Sequence, residues 1–114
     1  MKEFLQRLKS TPESIAFSDT IATIDAHYEF TPTAFKNGDL QNEAGQNNGS
    51  CKIFHFARIN ALTEGETLHC FGAYYREDVL KHPEGSDHKN IRNFMKTGWS
   101  GVAFHGDALS PKQD

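Results

Sequence analysis

The sequence predicts a mainly helical α+β fold, with about five helices around one central helix and a small amount of β-structure. Three observations support this prediction. Apolar residues recur at helical spacing in five segments, an aromatic- and threonine-rich stretch interrupted by Pro32 is typical of an edge strand, and Asn37-Gly38 is a strong hairpin signal. We expect residues 1–114 to form a single domain.

Two helices precede the β-structure. In the segment 2–9, Phe4, Leu5 and Leu8 share one helical face. Pro12 cannot continue the hydrogen-bonded ladder, so the first helix stops before it, and the second is predicted to open at Ser18 or Asp19.

Short strands are expected near 29–36 and 102–105, with the arm at Phe30 pairing with the strand at Phe104. A hairpin turn at Asn37-Gly38 is predicted within this region.

The segment 51–62 is predicted to be the central helix because apolar residues cover nearly all of its sides. Ser50, directly before this run, is predicted to be its N-cap. Thr63 and Glu66 have the spacing of a capping box, which should start a fourth helix that continues to Leu80.

A fifth helix is predicted after a cap at Ser86 or Asp87, with Ile91, Phe94 and Met95 facing inward and Gly98 ending it. The tail, residues 107–114, is polar and expected to be frayed.

Composition excludes several classes of function. The net charge of −3 gives no overall field that would attract a phosphate backbone, so we expect no nucleic-acid partner. The N-terminal segment has no long apolar run, so we expect a cytoplasmic protein without a membrane partner. Two cysteines make no disulfide framework, and the six histidines show no compact ligand spacing, so we expect neither metal nor cofactor.

The loop that leads into the central helix is the leading candidate for a binding surface. Its glycines and asparagines tolerate positive φ, and its amides and hydroxyls lie at a predicted helix N-terminus, which is a ready site for an anion. The candidate ligand-binding residues are Asn42, Glu43, Gln46, Asn47, Asn48 and Ser50, joined by Tyr75 and Arg76 of a polar-aromatic patch. For Arg76, an internal bridge to a carboxylate is the favoured alternative.

Cys51 is the candidate for chemistry. It would lie in the first turn of the central helix, where free amides and the dipole favour the thiolate. His105 or His55 is available as the base. The alternative function is therefore a thiol-dependent hydrolase or transferase, although a buried structural thiol is the more common role of such a cysteine.

The sequence closely resembles the HopJ type III effector family from about Phe4 to Gly106. The words PTAF, NG, AGQN, GSCK, FG, YYR, DVL, HP, DH, NIR, FM and GW occur in the order and spacing of that family. The resemblance implies a small bacterial protein of a family named for an effector delivered by type III secretion, and it supplies no catalytic residues.

From these observations we expect a small non-enzymatic protein that binds an unknown protein or a small anionic ligand through the loop 42–50. The partner would be a host protein if the chain is secreted through a type III system, and an oligomer is possible through a face near Trp99.

Overall fold

The computed structural model describes residues 1–112 and has the mainly helical α+β fold predicted from the sequence. The α-helices are α1 (Lys2–Ser10), α2 (Phe17–His27), α3 (Asn48–Ile59), α4 (Glu64–His69) and α5 (Lys89–Thr97). A π-helix spans Tyr74–Val79, and 3-10 turns span Pro12–Ser14 and Gly98–Gly101. The strands are β1 (Tyr28–Phe30), β2 (Phe35–Asn37), β3 (Leu40–Asn42), β4 (Val102–Phe104) and β5 (Leu109–Pro111).

The strands form two small antiparallel sheets, β1-β5 and β3-β2-β4. The predicted hairpin is confirmed: β2 and β3 pair on either side of a turn in which Gly38 has a φ of +63°. The predicted pairing of the arm at Phe30 with the strand at Phe104 is wrong. Phe30 is opposite Leu109, and Phe104 is opposite Phe35, where the two rings also stack.

The central position of α3 is confirmed by its burial, since its residues Cys51, Ile53, Phe54, Phe56 and Ala57 are almost inaccessible to solvent. The ring of Phe54 packs against the rings of four residues from other elements: Phe35, Phe71, Phe94 and Trp99. These contacts join the helices and the β2 sheet in one aromatic core.

The helix α3 begins three residues earlier than predicted. Asn47 adopts the left-handed conformation, with φ 51° and ψ 50°, and precedes the first helical residue. Ser50 therefore lies inside the first turn, and its prediction as the N-cap is wrong.

The capping box of α4 is confirmed, because the Thr63 amide donates to Glu66 Oε1 at 2.9 Å and the Glu66 amide donates to Thr63 Oγ1 at 3.1 Å. The predicted continuation to Leu80 is wrong. The chain turns at Gly72, whose φ is +62°, and a side chain there would put its Cβ 2.5 Å from the backbone nitrogen of Phe17. The close approach of α2 ends the helix, and the chain resumes as the π-helix.

The fifth helix begins after His88, so neither Ser86 nor Asp87 is its N-cap. Ile91 and Phe94 are buried as predicted, but Met95 is 45% exposed and its predicted inward position is wrong.

The tail is ordered further than the sequence predicted. Ala108 and Leu109 are buried, and β5 pairs with β1, so the expectation of fraying is wrong for residues 108–111. Residues 113–114 lie outside the described part of the chain. Among residues 1–112, none of the helices combines the length and the apolar character needed to span a bilayer.

Candidate functional site

A cleft of about 530 Å³ lies where the N-terminal ends of α3 and α5 meet. The first turns of both helices line it, through Gly49 and Ser50 on one side and Asn90 and Ile91 on the other. Aromatic side chains and one lysine, Lys89, complete most of the lining. Clefts of this size are typical of sites for small molecules.

The start of α3 has no side-chain cap. Asn47 occupies the N-cap position, but its side-chain nitrogen donates to Asn42 Oδ1 at 2.7 Å and does not serve the helix. Within residues 1–112, the backbone amides of Asn48, Gly49 and Ser50 have no acceptor. No acidic residue lies in this first turn. These amides and the positive end of the helix dipole therefore remain available to an anion.

The start of α5 repeats this arrangement. His88 is the N-cap residue in the left-handed conformation, with φ 50°, and makes no capping bond. Its Nε2 lies 3.0 Å from Asp78 Oδ2 of the π-helix. The amides of Lys89, Asn90 and Ile91 also have no acceptor in the described chain, and Lys89 forms no ion pair with an acidic residue there. Two uncapped helix ends and one cation thus border the same cleft.

A network of buried asparagines holds the two helix starts together. Asn90 Oδ1 accepts bonds from Asn37 Nδ2 at 3.0 Å and from Asn42 Nδ2 at 3.2 Å. Asn90 Nδ2 donates to Asn42 Oδ1 at 2.9 Å, and the same oxygen accepts the bond from Asn47. The β2-β3 hairpin therefore links α5 to the residue before α3. The shared bonds favour one arrangement of the two helix starts, although Asn37 Oδ1 is buried without a partner among residues 1–112.

Aromatic rings form another part of the cleft lining. The ring of Phe17 packs edge-on against that of Tyr74, with centroids 5.0 Å apart, and the His88 ring lies 5.1 Å from Tyr74. Tyr74 is nevertheless 43% exposed. Gly49 allows Phe17 to approach, since a Cβ at that position would meet its ring at 3.0 Å.

The structure brings only part of the predicted binding set together. Asn47 and Ser50 line the cleft, whereas Asn42 is buried in the asparagine network. Glu43 and Gln46 bond to each other, through the Glu43 amide and Gln46 Oε1 at 3.1 Å. Asn48 is exposed at the start of α3. The side chains of Asn42, Gln46 and Asn47 thus bond within the protein, and the loop contributes to the cleft mainly through the backbone of the helix start.

Tyr75 and Arg76 lie outside the cleft lining. The Arg76 guanidinium donates to the backbone carbonyls of Pro12 and Ile15 and contacts His69, whose ring packs edge-on against Tyr75. Arg76 therefore joins the π-helix to the turn between α1 and α2. Its partners are carbonyls, not the carboxylate that the sequence favoured.

The geometry does not favour the alternative in which Cys51 is a nucleophile. Cys51 is 1% exposed, its Sγ lies 3.4 Å from the carbonyl of Thr33, and no imidazole of residues 1–112 lies within hydrogen-bonding distance of it. Burial raises the pKa of the Cys51 thiol, which disfavours the thiolate.

The two candidate bases do not change this conclusion. His55 is buried, and burial lowers its pKa although the Asp107 carboxylate opposes the shift. His105 is exposed at the end of β4, where its backbone amide donates to the carbonyl of Ala34. Among residues 1–112, no group of three or more His, Cys, Asp or Glu side chains is placed to hold a metal ion.

Phe17, Tyr74, His88, Lys89 and Asn90 were not assigned to this site from the sequence. Two of them had a weaker local signal: Tyr74 adjoins Tyr75 and Arg76 in the polar-aromatic patch, and Lys89 shares a mildly basic helical face with Arg92 and Lys96. Their convergence depends on long-range contacts, such as those of the asparagine network, that no local pattern encodes.

Comparisons with known proteins give a family and one solved relative. The family described as HopJ type III effector protein matches residues 1–109. A crystal structure described as that of "unknown function protein VPA0580" is 57% identical, with a TM-score of 0.97, and the match covers 98% of this chain and 93% of that one. No curated protein matches the chain.

Proposed function

We propose that this chain, which belongs to the HopJ type III effector family, binds a small anionic ligand in the cleft between α3 and α5. The observation that carries this proposal is the convergence of two uncapped helix N-termini on one cleft. A single free helix start is common. Two helix starts that share a cavity with a lysine that has no acidic partner among residues 1–112 concentrate positive potential in one place.

Several further features support an anion in this position. The first turns of α3 and α5 carry no acidic residues that would occupy the free amides. Asp87 lies near the start of α5, but its carboxylate bonds to Arg92 at 2.6 Å. Phosphate and carboxylate groups are the anions that helix amides and a lysine bind best.

Parts of the family resemblance lie in the lining of the same cleft. Segments of six of the words on which it rests contribute to the lining: AGQN, GSCK, FG, YYR, DH and NIR. These words are spread over more than forty positions of the sequence, from Asn47 to Ile91.

The test is a titration of the ¹⁵N-labelled protein with inorganic phosphate, followed through the amide signals. We expect the signals of Gly49, Ser50, Asn90 and Ile91 to shift together in one saturable process, and the affinity to fall as the ionic strength rises. Shifts scattered over the surface, or none in these two turns, would contradict the proposal.

Lys89 and Lys96 provide a matched pair of variants. Both lie on α5 and carry the same charge, but only Lys89 lines the cleft. Lys89→Gln should weaken phosphate binding roughly 5-fold, because a charged hydrogen bond is lost, whereas Lys96→Gln should leave it nearly unchanged. Equal effects of the two substitutions would mean that only overall charge matters.

A role as an effector delivered into host cells is a second proposal, and the description of the family favours it. A cytoplasmic protein that binds an anion and is also exported is consistent with both proposals. Fusion of the chain to a translocation reporter in a strain with and without a working type III system tests delivery. Reporter signal that is the same in both strains would contradict export by that route.

A further inference from the structure

We propose that the anionic ligand of the cleft carries a planar aromatic ring, which packs against Tyr74. The inference rests on the proposed function, since it assigns the body of the ligand whose anionic group the helix starts would bind. It is carried by the aromatic lining and the size of the cleft, neither of which an anion alone explains.

The size of the cleft exceeds what an anion requires. A volume of about 530 Å³ is far more than a bare phosphate fills, so most of the cleft would remain open to solvent around it. The apolar part of the lining includes the partly exposed side chains of Phe17, Leu40 and Tyr74. A ligand with an anionic end and an apolar body would match the helix starts with one end and the apolar side chains of the cleft with the other.

The ring of Tyr74 is the part of the apolar lining that favours an aromatic ligand. Tyr74 is 43% exposed, although it is one of the largest side chains lining the cleft. A large exposed ring beside a cavity is characteristic of a contact surface for another ring.

The ring of Tyr74 contacts two neighbouring rings of the protein. Phe17 meets Tyr74 at an interplanar angle of 72°, and the His88 ring lies on it at 39°. His88 is in turn held by Asp78, which belongs to the same π-helix as Tyr74. π-Helical segments recur at functional sites, and a fixed ring loses little conformational freedom on binding.

Aromatic pairs prefer offset or edge-to-face contacts and gain free energy beyond the area that they bury. An aryl phosphate or aryl carboxylate would place its anionic group at the helix starts and its ring on Tyr74. An aliphatic body of similar volume would fill the space without the aromatic contact. The structure therefore assigns the ligand to the class of small aryl anions.

The experiment compares inorganic phosphate, n-butyl phosphate and phenyl phosphate by titration of the ¹⁵N-labelled protein. We expect phenyl phosphate to bind about 10-fold more tightly than phosphate, with butyl phosphate in between. The ring protons of Tyr74 should shift upfield with phenyl phosphate and not with butyl phosphate.

Two variants on the same π-helix provide the control. Tyr74→Leu should reduce the affinity for phenyl phosphate to that for butyl phosphate, and amide signals that stay in place away from the cleft would show that the variant is folded. Tyr75→Leu removes a neighbouring ring that contacts His69 and does not line the cleft, so it should leave all three affinities unchanged.

The outcomes separate the two proposals. Phosphate binding at the helix starts without any gain for phenyl phosphate, or a gain that Tyr74→Leu does not remove, would overturn the aromatic inference and leave the anion site intact. If none of the three compounds shifts the amides of the two first turns, the proposed function fails and the inference fails with it.

Discussion

The start of α4 differs from the starts of α3 and α5 in what binds the first backbone amides of the helix. At α4, Thr63 and Glu66 satisfy each other's backbone amides, so the helix end is complete within the protein. At α3 and α5, the N-cap residues Asn47 and His88 direct their side chains to Asn42 and Asp78, and the first amides have no acceptor in the described part of the chain. The difference separates a helix start that contributes only to stability from starts that leave bonding capacity for a ligand.

A second contrast lies in the backbone. Thr63 has the extended conformation typical of an N-cap, with φ −68° and ψ 165°. Asn47 and His88 are both left-handed, which costs free energy for any residue with a side chain. Strain of this kind persists only where surrounding contacts impose it, and here the asparagine network and the Asp78 contact do so.

The largest expected effect comes from removing the link between the two uncapped starts. Asn90→Leu should lower the free energy of unfolding by about 2–4 kcal/mol, because buried polar groups of Asn37 and Asn42 lose their partner. Denaturant titration measures this loss of stability. Asn48→Ala, an exposed change at the start of α3, should change the free energy of unfolding by no more than about 0.5 kcal/mol. A similar loss of stability in both variants would mean that the asparagine network does not cause the loss.

The next effect compares hydroxyls at a capped and an uncapped start. Thr63→Ala should cost about 1 kcal/mol because it removes the cap of α4. Ser50→Ala should cost less than about 0.5 kcal/mol, since Ser50 makes no capping bond. Thermal unfolding of the two variants tests the contrast, which is lost if Ser50→Ala is as costly as Thr63→Ala.

A smaller effect follows from converting an uncapped start into a capped one. Ser50 is the third residue of α3, so Ser50→Glu would place a carboxylate where Glu66 stands in α4. We expect a gain of about 0.3–1 kcal/mol in stability and the loss of phosphate binding. Ser110→Glu adds the same charge on the exposed side of β5 and should leave phosphate binding intact. Retained binding in Ser50→Glu would place the anion elsewhere.

The smallest effect concerns Asp87, which lies beside the α5 start without capping it. The hydrogen bond from Arg92 lowers the pKa of Asp87 below its ordinary value of 3.8. A lowered pKa in the folded state stabilises the protein above pH 3.8, and this contribution is lost as the pH falls through the lowered value. Asp87→Asn should therefore flatten the acid side of the stability profile slightly, because the group is fully exposed. An unchanged profile would show that the Arg92 bond contributes nothing.

Local patterns were sufficient wherever a feature depends on neighbours in sequence. The apolar sides of α3 predicted its burial, and the spacing of Thr63 and Glu66 predicted their reciprocal bonds. The Asn37-Gly38 hairpin was also predicted from residues that are neighbours in sequence. Each of these depends on periodicity, capping chemistry or turn preference.

Features that depend on distant contacts were missed. The turn at Gly72 exists because α2 passes close to it, and no apolar pattern reports that approach. Asn90 is a polar residue in the first turn of an amphipathic helix, so its burial depends on the hairpin that meets it. The cleft depends on both of these distant contacts, the approach of α2 and the burial of Asn90. For this reason only Asn47 and Ser50 of the predicted binding residues line it.

The pairing of β1 with β5 has a consequence for the order in which the chain acquires its structure. Tyr28 is opposite Pro111, and the two are 111 − 28 = 83 positions apart. Closing so long a loop costs entropy before the pair gains any hydrogen bond, so we expect this sheet to form late in folding. During synthesis, the edge of β1 remains without its partner until residue 111 has left the ribosome.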